Sequence, residues 1–212
     1  MINKETSKKI ASLLLEIEAI KINTKSPFKW SSGWNSPIYC DNRLSLSYPE
    51  IRDYIKEKLA GEISNNFSGV QTIAGVATAG IPQGALVADN LKLPFIYVRS
   101  KPKGHGMENL IEGKITKGQK VVILEDLVST GGSSLKAAEA LRSVGVEILG
   151  MIAIFTYGFK RAEKNFKNAK IKLVTLCDYP TLLEEALIHN FIKEEELVSL
   201  KAWGVDPENW EY

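Results

Sequence analysis

Between residues 70 and 176 the chain alternates short apolar, β-branched runs with helical stretches, and few architectures accept that pattern. The runs are 70–76, 94–98, 121–124, 148–155 and 171–176, with helical stretches after Gly80, over 133–144 and near 160–168. A strand, a helix and another strand imply parallel pairing, because the crossover must return the chain to the starting end of the sheet. The pattern predicts an α/β fold, a doubly wound, mainly parallel sheet.

The flanks are less regular. Ile10, Leu13, Leu14, Ile17 and Ile20 recur at three- and four-residue steps, which predicts an amphipathic helix after a Thr6 or Ser7 cap. Residues 26–49 mix aromatics with Pro27, Gly33, Pro37 and Pro49, and read as a loop or short hairpin able to form a hood over a site. Helical segments around 180–189 and 193–202 precede an irregular tail with Trp203, Pro207 and Trp210, expected to pack against the N-terminal region. With no repeat or linker, a single domain over 1–212 is expected: helix and hood to about 49, core about 50–180, C-terminal helices and tail 181–212.

Lys and Arg number 27 against 25 Asp and Glu, and the net charge of +2 provides no broad field for a nucleic acid or an anionic membrane. Charges at Lys4, Glu5, Lys8, Lys9, Glu16 and Glu18 interrupt the run that a signal peptide or spanning helix needs, so a cytoplasmic location is expected. Cys40 and Cys177 stand far apart without metal-ligand spacing, which indicates neither a disulfide framework nor a zinc site. His189, in a helical stretch, reads as a surface or satisfied histidine.

The segment from Val121 to Ser133, VVILEDLVSTGGS, carries the chemistry. In open α/β sheets ligands bind outside the carboxyl ends of the strands, so Glu125 and Asp126 emerge where a ligand would sit. Carboxylates there suit ribose hydroxyls and a hard cation such as Mg²⁺, which takes oxygen ligands from substrate and protein alike. Ser129, Thr130, Gly131, Gly132 and Ser133 then offer hydroxyls and successive backbone N–H groups at a helix start, a cradle for a 5′-phosphate. A capped turn beside solvated acids is the plain alternative. The patterns GxxxxGK[ST] and GxGxxG after a strand are both absent, so a phosphorylated sugar suits the site better than a nucleoside triphosphate or dinucleotide.

The acid pair with its Ser-Thr-Gly-Gly turn resembles the signature of type I phosphoribosyltransferases, which use 5-phosphoribosyl 1-pyrophosphate (PRPP). Three more segments resemble the orotate phosphoribosyltransferases: FKWSSG at 28–33 with SPIYCDNR at 36–43, AGVATAGIP at 74–82, and the basic loop RSKPKGHGMEN at 99–109. The likeness spans about 26–160 and is greatest to the Gram-positive type. It implies transfer of phosphoribose to orotate, giving orotidine 5′-monophosphate and pyrophosphate in pyrimidine synthesis, with Mg²⁺ carried mainly by the donor near Glu125 and Asp126. It further implies that PRPP is bound by Arg99, Lys103 and His105 and by Glu125, Asp126, Leu127, Val128, Ser129, Thr130, Gly131, Gly132 and Ser133. By the same resemblance Ser129 is expected against orotate, Lys103, His105 and Asp126 are expected as the catalytic groups, and the 99–109 loop is expected to reach a neighbouring subunit's site, which implies a homodimer.

Departures from the enterobacterial pattern are specific. Ser31, Ala79 and Ser100 stand where that pattern has lysines, and Thr156-Tyr157-Gly158 lacks the strand-end arginine that grips the orotate carboxylate in some relatives. Lys29 or Arg43, or backbone amides, are the candidates to replace it. No Ser-His-Asp set or positioned cysteine offers a nucleophile, so direct displacement through an oxocarbenium-like state is expected. A purine or uracil phosphoribosyltransferase and a donor-binding transcriptional regulator are the competing readings. The loop with Arg99, Lys103 and His105 favours orotate and catalysis.

Overall fold

The computed structural model describes residues 3–30, 33–101 and 110–211. Helix α1 spans Lys4–Glu16, and its cap is Asn3, whose side chain accepts from the Thr6 amide at 2.9 Å. Thr6 and Ser7, the expected caps, are buried inside the helix: an Asn three residues before Thr6 satisfies the same orphan amides one turn earlier. Glu18 takes a left-handed φ of 54° that ends the helical path, so Ile20 falls not on α1 but on strand β1 (Ile20–Ile22).

The 26–49 segment forms ribbons. Strands β2 (Phe28–Lys29) and β3 (Asn35–Ser36) pair antiparallel, and β4 (Ile38–Cys40) pairs antiparallel with β1. A 3-10 turn over Asn42–Ser47 leads into α2 (Pro49–Asn66), a helix that the sequence pattern had not assigned. Pro49 begins this helix rather than breaking order, since at the first helical positions its missing N–H costs no hydrogen bond.

The central sheet is built from β5 (Thr72–Val76), β6 (Phe95–Val98), β7 (Ile111–Glu112), β8 (Lys120–Val128), β9 (Glu147–Thr156) and β10 (Leu173–Asp178), in the order β10-β9-β8-β5-β6-β7. Pairing is parallel except at the short edge strand β7, which runs antiparallel to β6. Helices α3 (Gly80–Leu91), α4 (Gly132–Ser143) and α5 (Lys160–Asn168) follow β5, β8 and β9, and α6 (Tyr179–Ile188) and α7 (Glu194–Val205) follow β10. The expected doubly wound α/β fold is therefore present, with element ends displaced by at most four residues, the largest shift being at the end of β8.

Strand alternation distributes the core. Val122, Leu124, Ile152 and Ile154 join the cluster that includes residues of α1, α2, α3 and α6, whereas Val121, Ile123, Met151 and Ala153 join that of α4 and α5. Trp203 is fully buried and donates its indole N–H to the Asn35 carbonyl at 3.2 Å, tying α7 to the hood. His189 is half exposed near Glu185, 3.5 Å away. Both cysteines are free, Cys177 buried and Cys40 partly so.

From β5 the chain crosses to β6 on one side, and from β8 it crosses to β9 on the other, so the winding reverses between β5 and β8. Their paired register ends at Gly75 and Leu124, yet β8 continues alongside β9 to Val128. The freed edge of β8 beyond Leu124 is the crevice that such a sheet offers a ligand.

Candidate active site

Glu125 and Asp126 sit on that freed edge, still inside β8 rather than after it. Glu125 is buried; it accepts from the Ser134 hydroxyl at 3.1 Å and from the Asp126 amide at 3.2 Å. Burial, followed by the neighbouring charge of Asp126, pushes the Glu125 carboxyl well above its ordinary range, with Ser134 opposing. Burial also raises Asp126, and the hydrogen bond from Glu125 offsets part of that rise. Asn42, on the 3-10 turn, donates its side-chain amide to the Asp126 carbonyl at 2.8 Å, so the hood is fastened to the backbone of the acid pair.

Immediately after β8 the chain turns through Gly131, whose φ of 79° only glycine adopts without strain and which caps α4. A Cβ at Gly131 would lie 2.7 Å from the Phe166 ring of α5, so the residue is also demanded by packing. The hydroxyls of Ser129, Thr130 and Ser133 have no protein partner among the described residues, and no side chain caps the start of α4, whose first amides have no partner within the helix. Opposite them is the β5–α3 turn, with a cis Ala77–Thr78 bond, and Gly80, where a Cβ would meet the Leu124 carbonyl at 2.6 Å. A cavity of about 320 Å³ lies between the two turns, lined by Ala77–Ala79, Glu125–Leu127 and Ser129–Ser134.

A second cavity, of about 710 Å³, shares Leu127, Ser129 and Thr130 with the first and extends under the hood. Its wall includes Trp30, Trp34, Tyr39 and Tyr157. The Tyr157 ring lies 5.0 Å from Trp30, stacks on Phe159 at 5.4 Å and meets Trp203 edge-on at 5.4 Å. An aromatic-walled space thus adjoins an acid pair and the uncapped helix start. Cys40 also lines it, but burial and then the charges of Asp126 and Asp41 hold its thiol well above its usual range, so it is not a thiolate nucleophile.

A phosphoribosyl transferase domain profile matches residues 47–206. A relative from Cytophaga hutchinsonii, named orotate phosphoribosyltransferase, is 60% identical over 96% of this chain and 98% of its own. One of the same name from Listeria innocua, of the Gram-positive type expected to be most alike, is 53% identical over 96% and 97%, less than the Cytophaga relative. The chain belongs to the orotate phosphoribosyltransferase family. Among solved structures it is similar to the orotate phosphoribosyltransferase of Aeropyrum pernix, at 30% identity and a TM-score of 0.74 over 83% of this chain and 97% of the other. It is also similar to UMP synthase of Leishmania donovani, at 26% identity and a TM-score of 0.80, covering 94% of this chain and 42% of that longer one.

Against the orotate phosphoribosyltransferase pattern, Glu125, Asp126, Leu127 and Ser129–Ser133 line the smaller cavity together, while Val128 is fully buried and lines neither cavity. Arg99 follows β6, pairs with Glu112 at 3.2 Å and lines neither cavity. Lys103 and His105 lie outside the described residues, as does Ser31. Of the two cations considered for the orotate carboxylate, Lys29 lines the larger cavity, whereas Arg43 is held by Asp41 through contacts of 2.6 and 2.8 Å. Sequence reading assigned no role to Asn42 or Ser134, whose partners are revealed only by the fold, nor to Arg161, which lines the larger cavity.

Proposed function

We propose that this chain transfers the 5-phosphoribosyl group of PRPP to orotate, releasing pyrophosphate and forming orotidine 5′-monophosphate on the route to UMP. The observation that carries the reading is the joining of the two cavities over Leu127, Ser129 and Thr130. One suits a sugar phosphate and the other a flat heterocycle. The transferred carbon then lies at their junction, where positioning alone removes much of the barrier.

In this reading the α4 start and the hydroxyls of Ser129, Thr130 and Ser133 hold the 5-phosphate, and Glu125 and Asp126 hold the ribose hydroxyls. Leu127, Val128, Gly131 and Gly132 shape the backbone of the cradle, and Ser129 touches orotate. The orotate nitrogen bonds to C1 as the bond from C1 to the pyrophosphate oxygen breaks, through an oxocarbenium-like state whose positive charge Asp126 stabilises. Arg99, Lys103 and His105 take up the charge that grows on the departing pyrophosphate.

Two adjacent carboxylates fit a hard cation, but among the described residues no group of three His, Cys, Asp or Glu could hold a metal. Mg²⁺ would therefore take most of its oxygens from the donor, with Glu125 and Asp126 nearby, and would supply charge neutralisation of the pyrophosphate.

That Arg99 lines neither cavity of its own chain supports a loop acting in a partner's site, hence a homodimer. Two free cysteines support a cytoplasmic setting. Among the described residues no helix is long and apolar enough to cross a membrane, and with the near-balanced charge this supports an enzyme of small molecules, without a nucleic-acid or membrane partner.

The test follows the loss of orotate absorbance on mixing the protein with PRPP and Mg²⁺, with adenine, hypoxanthine and uracil in parallel. Orotate consumption that depends on both additions is expected, and consumption of another base alone would overturn the acceptor. For the dimer, equal mixing of Lys103→Ala and Asp126→Asn chains should restore about a quarter of wild-type activity, because half the dimers are hybrids with one intact site of two. No restoration would refute the shared loop.

A further inference from the structure

The larger cavity is lined by two cations that hold no carboxylate of their own among the described residues, Lys29 on β2 and Arg161 in the first turn of α5. Their settings differ. Lys29 is on a two-residue ribbon strand, whereas α5 is fixed to the cradle: Asn165 donates its side-chain amide to the Thr130 carbonyl at 3.0 Å, and Phe166 packs over Gly131. Arg161 precedes Asn165 by four residues and so lies on the same helix face, which directs it to the side of the cradle that carries Thr130. Glu208 is the one acid lining this cavity, so the balance with Lys29 and Arg161 is one net positive charge. That charge awaits an anion.

Orotate differs from uracil by a planar carboxylate. A guanidinium presents paired donors in a fork that matches it, and the start of a helix adds a favourable field, neither of which an ammonium on a short ribbon supplies as well. We infer that Arg161 reads the orotate carboxylate and is the specificity-determining residue of the acceptor cavity, an inference that rests on the reading of this site as one for orotate. Arg43, fastened to Asp41, is not available for the task.

The experiment compares wild type, R161A and R161K, measuring KM for orotate and PRPP and the inhibition constant of orotamide, in which a carboxamide replaces the carboxylate. Arg161 is exposed and makes no hydrogen bond or ion pair among the described residues, so the variants should retain the wild-type melting temperature. In R161A the orotate KM should rise roughly 10- to 100-fold, the cost of losing a charged hydrogen-bonding partner. The PRPP KM and the orotamide constant should not move, and R161K should recover part of the loss. An unchanged orotate KM in R161A, or equal weakening of orotate and orotamide, would overturn the assignment while leaving the transferase reading intact. If wild type consumes no orotate, the reading beneath the inference falls as well.

Discussion

The Ser134 hydroxyl donates to the Glu125 carboxyl at 3.1 Å, from the first turn of α4 to the strand that carries the acid pair. The bond is one of few forces that favour a charged Glu125 in a site whose burial opposes that charge.

Because the folded-state value of Glu125 is raised, the native chain binds its proton more tightly than the unfolded chain does. The associated stability is present at low pH and is lost as pH rises from the ordinary carboxylate value of 4.5 through the raised one. Glu125→Gln should therefore melt higher than wild type, by about 2–4 °C per kcal/mol recovered, with a gain that grows from pH 5 to pH 8. Thermal melts across that range check it; a gain that shrinks with pH would count against a raised Glu125. Ser134→Ala should move the pH profile of PRPP binding in the alkaline direction.

Lys103→Ala should lower the rate of the chemical step by about 10²–10³ while PRPP affinity falls much less, since its contact strengthens only as the leaving group gains charge. Single-turnover rates set beside equilibrium binding separate the two. An unchanged rate rejects the role.

Asn42→Ala should cost about 1–2 kcal/mol in urea unfolding, the penalty for leaving the part-buried Asp126 carbonyl without its donor. Activity should fall further than stability explains, because the same bond sets the height of the hood over the acid pair. Equal losses would make Asn42 a packing residue only.

Gly131→Ala places a methyl 2.7 Å from Phe166 and demands a left-handed backbone, so it should destabilise by about 1–3 kcal/mol and weaken PRPP binding. Trimming the ring with Phe166→Leu should recover stability in part but not binding, because the φ of 79° remains. Isothermal titration with PRPP on both variants tests it.

The acid pair and the glycine turn were legible in sequence because ligand chemistry dictates the residue types themselves, at adjacent positions after the apolar run 121–124. Helix α2 was not, since Pro49 reads as a breaker unless it is known to be the first helical residue. Edge strand β7 has two residues, too short to show alternation. Arg161 lies on a polar helix with no motif around it, and only the bond from Asn165 to Thr130 reveals which way that helix faces. The cap of α1 was misplaced because Asn3, Thr6 and Ser7 are all competent caps, and burial of the last two decides among them.

Strand β8 continues for four residues past its last pairing with β5, Glu125 to Val128, and Leu127 borders both cavities. In the proposed reaction the two halves are consequently written in different parts of the chain: the sugar half in β8 and α4, the base half in the hood ribbons and the opening turn of α5. Variation can retune which ring is accepted while the grip on the ribose stays fixed. The exception is α5, which braces the cradle through Asn165 and carries Arg161, the residue inferred to read the base, so on that reading drift in the helix would be felt on both sides of the bond being made.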